Sequence, residues 1–439
     1  MRVTVIGTGY LGAVHAACMA EIGHDVLGVD ADPDKIASLA SGQALFYEPG
    51  LAELLARTIG SGKLRFSTSL AEAADFGDVH FICVGTPQLS DSGAADMSLV
   101  EGVIDELAPQ LSRDCLVVGK STVPVGSAAR LSARLTRLAH AAPGAKLAWN
   151  PEFLSEGTAI QDTLRPDRVV VGVDSAEADA ALREVYAPIL AAGTPYVSTD
   201  LSTAELVKVS ANAFLATKIS FINAIADICD AVGADVITLA EAIGLDERIG
   251  PSSLAAGLGF GGGCLSKDIR ALEFRAEELG VVKSLQFLRE IDALNIGRRQ
   301  RTVDVARALV GGFFPDRHVA VLGVAFKPNT DDVRDSPALS VAVRIKREGA
   351  TVRVHDPEAT GKARKLFPDL DYTAEPEQAC DGADIVLHLT EWEQYQAIDP
   401  VALASVVRQP RLVDARNVLP LDRWRAAGWT IRGLGRAAS

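Results

Sequence analysis

The N-terminal strand and the glycine turn after it constrain the fold of this chain more than any other stretch. Residues 2–6 alternate in the manner of a β-strand and run directly into Gly7-Thr8-Gly9-Tyr10-Leu11-Gly12, which opens an apolar helix ending near Ile22. A second strand-like run, 26–29, ends on Asp30. A GxGxxG pattern alone is weak evidence, but strand, GxGxxG, helix, strand and terminal acid in this order is typical of dinucleotide-binding folds. The sequence therefore predicts a doubly wound, Rossmann-like α/β domain.

Each residue of this turn has a physical role in holding a dinucleotide. Gly7 allows the tight turn, Gly9 lets a pyrophosphate approach the helix N-terminus, and Gly12 permits close packing of helix on strand. Asp30 would accept hydrogen bonds from the adenosine ribose and repel a 2′-phosphate, which favours NAD over NADP. The cofactor-binding residues predicted here are Gly7, Gly9, Tyr10, Leu11, Gly12, Asp30 and Lys35.

Three further strand-like runs lead into polar loops. The run 79–84 precedes Thr86, and the run 115–119 precedes Thr122. In a parallel sheet the ligand lies outside the carboxyl ends of the strands, so we expect both threonines to face the cofactor. The run 146–149 leads into a segment whose two carboxylates, Glu152 and Glu156, are four residues apart and could share one helical face. A run over residues 168–173 is expected to complete the sheet.

A long apolar helix is predicted from about residue 200. Ser202 to Glu205 has the form of a capping box, and apolar residues recur at helical spacing as far as Ile228. Lys208 and Asn212 stand at positions i and i+4 and therefore on one face. Such a helix needs partners on more than one side, which favours the core of a homodimer; higher assembly is left open.

A glycine-rich segment, 259–268, carries one thiol followed by a cation and a carboxylate. Glycines let a backbone approach a ligand closely. A neighbouring ammonium and exposed backbone N–H groups favour the thiolate, so Cys264 is interpreted as a nucleophile.

A second α/β unit begins near His318 and lacks a GxGxxG motif. We therefore expect it to bind something other than an intact dinucleotide. Lys327, Arg334 and Arg416 follow the predicted strands and could meet a phosphate or a base.

Composition excludes several partners. The net charge of -14 argues against nucleic acid or an anionic membrane, and no apolar run reaches the ~20 residues of a membrane span. The first residues leave no room for a signal peptide, so a cytoplasmic protein is expected. The six cysteines and seven histidines are scattered, which predicts neither a disulfide framework nor a metal site.

Taken together and in order, the motifs resemble those of the nucleotide-sugar dehydrogenases, the UDP-glucose/GDP-mannose dehydrogenase family. They are GTGYLG, Asp30, KSTVPVG, NPEFLSEGTA, the Lys208/Asn212 helix, FGGGCLSKD, AFKPNTDD and DARN. The resemblance covers nearly the whole chain. It implies an NAD-binding Rossmann domain (1–199), a central helical dimerisation domain (200–300) and a nucleotide-sugar-binding Rossmann-like domain (301–439).

The chemistry implied by the resemblance is the oxidation of a sugar C6 hydroxyl to a carboxylate with two NAD. Cys264 would form a thiohemiacetal and then a thioester, Lys208 and Asn212 would stabilise the oxyanion, and Asp268 would orient or deprotonate water. UDP-glucose is the favoured substrate, with GDP-mannose and dTDP-glucose left open. The catalytic residues implied are Cys264, Lys208, Asn212, Asp268, Thr122 and Glu152.

Binding residues are implied in the same way. The further cofactor contacts are Thr86, Thr122, Glu156, Lys267 and Arg334. Arg248 matches a residue that reaches the neighbouring subunit's ligand in some relatives. The substrate contacts implied are Glu152, Phe153, Leu154, Ser155, Glu156, Lys208, Asn212, Arg248, Ser253, Leu254, Gly257, Phe260, Gly261, Phe326, Lys327 and Arg416.

The sequence departs from the family pattern at three positions. Gly263 replaces a serine before the thiol, Ser266 replaces a proline before Lys267, and Ser253 stands where an aromatic residue is typical.

Two other hypotheses compete with a nucleotide-sugar dehydrogenase. The 3-hydroxyacid dehydrogenase class shares the Rossmann domain and the Lys/Asn helix but lacks the thiol loop, and a non-catalytic scaffold would not need the reacting groups.

Overall fold

A computed structural model of the chain describes residues 1–90 and 92–436. The chain forms two compact units. The first contains residues 1–211 and 270–282, and the second contains residues 212–269 and 283–439.

The first unit is built on an eight-stranded sheet in the order β3-β2-β1-β4-β5-β6-β7-β8. Its strands are β1 (Arg2–Ile6), β2 (Asp25–Val29), β3 (Leu64–Ser67), β4 (Val79–Ile82), β5 (Leu116–Gly119), β6 (Lys146–Trp149), β7 (Val169–Gly172) and β8 (Tyr196–Thr199). The first six are parallel, and β7 and β8 run the opposite way, because β7 pairs antiparallel with β6. The expectation that residues 168–173 complete the sheet was wrong. β8 adds a further strand, whose short and largely exposed sequence gave no apolar signal.

Helices cover both faces of this sheet. They are α1 (Tyr10–Glu21), α2 (Pro33–Ala40), α3 (Leu51–Gly60), α4 (Leu70–Phe76), α5 (Ser98–Leu107), α6 (Ser127–Leu138), α7 (Ala159–Leu164), α8 (Ala176–Val185) and α9 (Ala187–Ala191). Successive residues of β5, Val117 and Val118, pack into two different apolar clusters. Side chains of a strand alternate between faces, so both faces of the sheet are buried, as a doubly wound fold requires.

The second unit contains a six-stranded parallel sheet in the order β11-β10-β9-β12-β13-β14. Its strands are β9 (His318–Leu322), β10 (Thr351–His355), β11 (Asp371–Tyr372), β12 (Ile385–His388), β13 (Arg411–Asp414) and β14 (Thr430–Gly433). The remaining helices are α11 (Val236–Gly244), α12 (Leu265–Glu278), α13 (Phe287–Leu309), α14 (Pro337–Arg347), α15 (Thr360–Leu366), α16 (Pro376–Cys380), α17 (Glu393–Gln396), α18 (Pro400–Ala404) and α19 (Leu421–Ala426). The predicted pair of Rossmann-like sheets is thus confirmed.

The long helix α10 (Leu201–Val232) runs from the first unit into the second. By length and composition alone it could cross a membrane, a test that the core helices of soluble proteins also pass; 44% of its most apolar window is buried. Its start differs from the predicted capping box. α10 begins at Leu201, two residues earlier than the box requires, so the Asp200 carboxylate accepts from the Thr203 N–H at 2.9 Å.

Glu205, the expected acid of that box, has a different partner. Its buried carboxylate accepts from the N–H groups of Gly126 at 2.7 Å and Ala128 at 2.6 Å, which caps α6. Burial raises the pKa of Glu205, and these N–H donors partly offset that effect.

Candidate active site

The glycine turn between β1 and α1 has the predicted geometry. Gly7 has φ +91°, a left-handed conformation that favours glycine. A Cβ on Gly12 would lie 1.8 Å from the Gly7 carbonyl oxygen, so only glycine lets α1 pack this close. A Cβ on Gly9 would meet nothing within 4 Å, which leaves the start of α1 open to a phosphate. Tyr10 and Leu11 form the first turn of the helix, and both are half-buried.

Asp30 follows β2 and binds the same turn. Its carboxylate accepts from the Thr8 N–H at 2.8 Å, and the Lys35 ammonium lies 2.9 Å from its Oδ2. Burial raises the pKa of Asp30, but Lys35 and the backbone donors outweigh that effect and hold the pKa below its ordinary value. Lys35 is therefore an ion-pair partner of the predicted ribose-binding acid.

The ends of β4 and β5 come together through the two predicted threonines. The Thr86 hydroxyl donates to the Thr122 carbonyl at 2.7 Å. Both residues lie just beyond the carboxyl ends of their strands, where a doubly wound sheet binds its ligand. The glycine turn, Asp30 and this pair together fit a dinucleotide such as NAD.

The segment after β6 is a loop, so the prediction that Glu152 and Glu156 share a helical face was wrong. Side-chain bonding replaces helical bonding here: Glu152 accepts from the Leu154 N–H at 2.8 Å and pairs with Lys208 at 3.0 Å. The Phe153 ring packs against the guanidinium of Arg168 at 4.0 Å. A proline after Asn150 already disfavours a helical start. Ser155 is exposed and Glu156 is half-buried. Burial, the bond to Glu48 and, to a smaller extent, the charge of Glu156 raise the pKa of the Tyr10 phenol.

The buried ammonium of Lys120 binds the residue at which this loop starts, a contact that was not predicted from the sequence. Lys120 donates to the Asn150 side-chain carbonyl at 3.0 Å, and the Tyr186 hydroxyl donates to the same oxygen at 2.5 Å. Burial lowers the pKa of Lys120. These bonds hold Asn150 at the point where β6 passes into the loop.

The thiol of Cys264 is exposed and stands at the start of α12. The Asp268 N–H donates to the Cys264 carbonyl at 2.9 Å, which closes the first helical turn. The partial positive charge of a helix N-terminus favours a thiolate at this position. The predicted nucleophile is therefore accessible in a setting that suits its anion.

Asp268 is buried one turn after the thiol and gathers two other predicted residues. It accepts from the Asn212 amide at 2.7 Å and pairs with the Lys267 ammonium at 2.7 Å. Asp268 is 1% exposed, so these partners supply the polar contacts that a buried carboxylate needs. On α10, Lys208 lies one turn before Asn212.

Buried polar side chains hold the segment that leads to the thiol. Asn295 of α13 accepts from the Phe260 N–H at 2.8 Å and donates to the Phe260 carbonyl at 3.0 Å. Arg416 donates to the carbonyls of Gly259, Phe326 and Leu389 at 3.1, 3.0 and 2.7 Å. Arg416, predicted as a substrate contact, thus joins the thiol loop to two strand ends of the second sheet.

Two of the three departures from the family pattern have partners here. A Cβ on Gly263 would lie 2.6 Å from the Arg334 guanidinium, so Arg334 lies directly against the thiol loop. The Ser266 hydroxyl donates to Asp335 at 3.1 Å, and Asp335 also binds Arg299 at 2.7 Å. A proline at 266 could not make that bond.

The other predicted substrate residues of the second unit are dispersed around this loop and beyond it. Gly261 packs against the Asp335 backbone and Gly257 against that of Ala415, while Leu254 is buried. The Lys327 ammonium lies 5.6 Å from the centre of the Phe326 ring. Arg248 lies on an exposed turn and pairs with Asp246, and Ser253 has φ +63°.

The roles of Asn295, Asp335 and Arg299 were not predicted from the sequence, and Glu205 was predicted with a different role. Each acts through a partner more than 30 positions away, and no local pattern announces such a pairing.

Comparison with known proteins gives matches along the whole chain. Residues 1–190, 202–296 and 320–421 match the NAD-binding, central and UDP-binding domains of the UDP-glucose/GDP-mannose dehydrogenase family. The chain is 42% identical to the UDP-glucose 6-dehydrogenase of Rhizobium meliloti, covering 99% of this chain and 100% of that protein. It is 40% identical to the enzyme of that name from Pseudomonas aeruginosa, with coverages of 99% and 98%. A solved UDP-glucose dehydrogenase from Pyrobaculum islandicum superposes with a TM-score of 0.90 at 38% identity, covering 99% and 98% of the two chains.

Proposed function

Because the chain belongs to the UDP-glucose/GDP-mannose dehydrogenase family, we propose that it oxidises the C6 hydroxyl of UDP-glucose to a carboxylate through a covalent intermediate on Cys264. The protein is an NAD-dependent nucleotide-sugar dehydrogenase. The net reaction proposed is UDP-glucose, two NAD+ and water giving UDP-glucuronate as its carboxylate, two NADH and three protons. The observation that carries the proposal is the exposed thiol of Cys264 at the start of α12, above the buried Asp268 with its Asn212 and Lys267 partners.

The glycine turn and Asp30 would hold NAD, which would supply the acceptor for the hydride lost in each of the two oxidations. The residues of the first unit bind and orient this cofactor. The Gly9 to Tyr10 backbone receives the pyrophosphate, and Asp30, kept ionised by Lys35, accepts from the ribose hydroxyls.

Cys264 supplies the covalent step between the two oxidations. Its thiolate adds to the C6 aldehyde carbon, and the carbonyl π electrons move to oxygen, which gives a thiohemiacetal. Loss of hydride from C6 leaves a thioester. Water then adds to that carbonyl, the C–S bond breaks, and the carboxylate leaves while the thiolate is regenerated.

The polar and charged side chains near the thiol suit the steps of this reaction. Asn212 is oriented by its bond to Asp268, and the second N–H of its amide can donate to the developing oxyanion. Lys208 provides a cation one turn away, its charge balanced by Glu152. Asp268, buried beside the thiol-bearing turn, orients or deprotonates the hydrolytic water.

The choice of UDP-glucose rests on the relatives, which are named UDP-glucose 6-dehydrogenases. GDP-mannose and dTDP-glucose are the alternatives within the same chemistry. The proposal also includes a cytoplasmic homodimer formed through α10. Thr122 and Glu156 are proposed contacts of the nicotinamide side, and Lys327 and Arg416 of the nucleotide side.

The test is a panel of UDP-, dTDP- and GDP-sugars assayed for NAD reduction, with NADH counted per sugar consumed. We expect UDP-glucose to be preferred and the ratio to be two. A ratio of one would remove the thioester mechanism, and preference for another nucleotide sugar would overturn the substrate assignment.

The Cys264→Ser variant tests the nucleophile separately. It should bind UDP-glucose and NAD but lose at least ~10³-fold in turnover, because the covalent route is removed. Cys115→Ser is the matched control, since Cys115 is half-buried next to β5 and its thiol has a pKa raised to about 11 by burial. Near-normal turnover of Cys264→Ser would contradict the covalent step.

A further inference from the structure

A buried glutamate outside the proposed chemistry, Glu48, connects two parts of the first unit. It precedes α3 and is 6% exposed. Its Oε2 accepts from the Gly157 N–H at 2.6 Å, and its Oε1 accepts from the Ala159 N–H at 2.7 Å. The Tyr10 hydroxyl donates to the same carboxylate.

Each of its partners belongs to a functional segment. Tyr10 is the first residue of α1, directly after the glycine that faces the phosphate. Gly157 and Ala159 end the loop that begins after β6 and carries Glu152 and Glu156. The two segments are about 150 residues apart in sequence and meet at one carboxylate, since the Gly157 N–H also donates to the Tyr10 hydroxyl at 3.1 Å.

Glu48 adds a long-range hold to a loop that also has local bonds, such as that from the Ser155 N–H to the Asp162 carboxylate at 2.8 Å. α7 has no side-chain cap from its own N-cap residue, Thr158, and Glu48 instead caps its first N–H, that of Ala159, from a distance. The Tyr10 ring packs against Phe46 with ring centres 4.6 Å apart, which fixes the hydroxyl on the side of the carboxylate. A carboxylate that accepts three hydrogen bonds in a buried position has no freedom to turn away.

We propose that Glu48 is a positioning residue, which holds the loop 150–158 in register with the cofactor turn and so couples binding of the nicotinamide cofactor to binding of the sugar. Glu48 acts through Tyr10 and through the backbone of residues 157–159. The inference rests on the proposed function only in naming the sugar as the ligand of that loop.

The first measurement is steady-state kinetics of Glu48→Gln in the full-length protein. An amide has the same shape but one acceptor oxygen, so its NH2 group must face one of the backbone donors. A displacement of about 1 Å at a reacting group can cost about 10²-fold in rate, so we expect kcat/KM for the nucleotide sugar to fall about 10- to 100-fold, with a raised KM. Tyr10→Phe removes only the link to the cofactor turn and should cost less, and the double variant should be little worse than Glu48→Gln alone.

Asp384→Asn is the matched control for loss of stability alone. Asp384 is also buried, accepts from the His318 N–H at 2.9 Å, and lies at the amino end of β12, in the second sheet. This variant should lower the melting temperature while leaving both KM values and kcat unchanged. If Glu48→Gln behaves like Asp384→Asn, Glu48 has a structural role only and the proposal is overturned.

Hydrogen exchange provides a readout that does not depend on activity. The amides of Gly157 and Ala159 should exchange faster in Glu48→Gln than in the parent protein, because each loses its acceptor or its alignment. Unchanged exchange would overturn the proposal even if activity fell. If the parent protein fails to oxidise any nucleotide sugar but these amides are released as expected, the proposed function is wrong and the positioning role of Glu48 stands.

Discussion

At the scale of single residues, we propose that Asp30 and its partner Lys35 decide which dinucleotide the first unit accepts. The carboxylate repels a 2′-phosphate, while the ammonium 2.9 Å away would attract one. In the native pair the cation is neutralised, so the acid sets the preference for NAD.

Asp30→Ala should therefore do more than weaken NAD binding. Loss of hydrogen bonds to a charged acceptor should raise the KM for NAD about 10- to 100-fold. The released Lys35 should raise kcat/KM for NADP at least ~10-fold, since an unpaired ammonium would face the 2′-phosphate. Kinetics with both cofactors measure this, and adding Lys35→Ala should abolish the gain. Unchanged kinetics in Asp30→Ala would mean that another residue holds the ribose.

The role of Ser266 depends on a distant partner. In the sequence this residue departs from the family pattern, and such a departure suggests that a contact of the family has been lost. The hydroxyl instead bonds Asp335, which is also held by Arg299, so the substitution adds a link between the thiol-bearing helix and α13. That gain depends on a residue 69 positions away and could not be read locally.

At the scale of secondary-structure elements, strand β4 carries a histidine inside the first sheet. His80 is 0% exposed and its Nδ1 lies 2.7 Å from the Thr4 hydroxyl of β1. Burial lowers the pKa of His80 from 6.5 to about 4. The neutral ring is thus the form that the folded sheet accepts.

The stability contributed by this neutral ring depends on pH. The pKa of His80 is lower in the folded protein than in the unfolded chain, so the unfolded chain takes up a proton first as pH falls. The contribution of His80 to the unfolding free energy is therefore present above pH 6.5 and is lost as pH falls toward about 4. Between pH 7 and pH 5 the loss should be about 2 kcal/mol of unfolding free energy. Urea unfolding at the two pH values should show this loss in the parent and a smaller one in His80→Gln. An equal loss in both would exclude His80 as its source.

Two helix starts of the first unit are completed by carboxylates from elsewhere in the chain. α6 begins at a glycine N-cap and is capped by Glu205, and α7 is capped by Glu48. Both helices follow loops of the candidate site, residues 120–126 and 150–158. Distant carboxylates accept hydrogen bonds from the first N–H groups of these helices. The side chains of the preceding loops are therefore not needed as caps and can face a ligand.

At the scale of the whole molecule, α10 leaves an apolar face uncovered. Phe214, Phe221, Ile228 and Val232 are 66%, 51%, 57% and 71% exposed. Their spacing of seven and four residues places them on one side of the helix, over about 27 Å of its length. A continuous apolar stripe of this size favours a protein interface, which is the basis of the proposed homodimer.

Phe221→Asp should dissociate that dimer, because burying an unpaired carboxylate at the centre of the stripe opposes association. Sedimentation velocity at micromolar concentration should show a dimer for the parent and a monomer for the variant. Leu366→Asp is the control, since Leu366 is 58% exposed at the end of α15 and should leave the dimer intact. A parent protein that sediments as a monomer would remove the proposal.

The two α/β sheets, the dinucleotide turn, the long helix and the thiol could be predicted from the amino-acid sequence, because each leaves a recognisable pattern over a short stretch of the chain. Strand periodicity, the glycines at 7, 9 and 12 and the thiol at 264 are local patterns, and local patterns survive in any fold that contains them. The contacts that hold these parts together could be seen only in the folded structure. They are pairings between distant residues: Glu48 with the 150–158 loop, Glu205 with α6, Asn295 with the thiol segment and Asp335 with Ser266. A buried polar group meets such a partner only after the chain has folded.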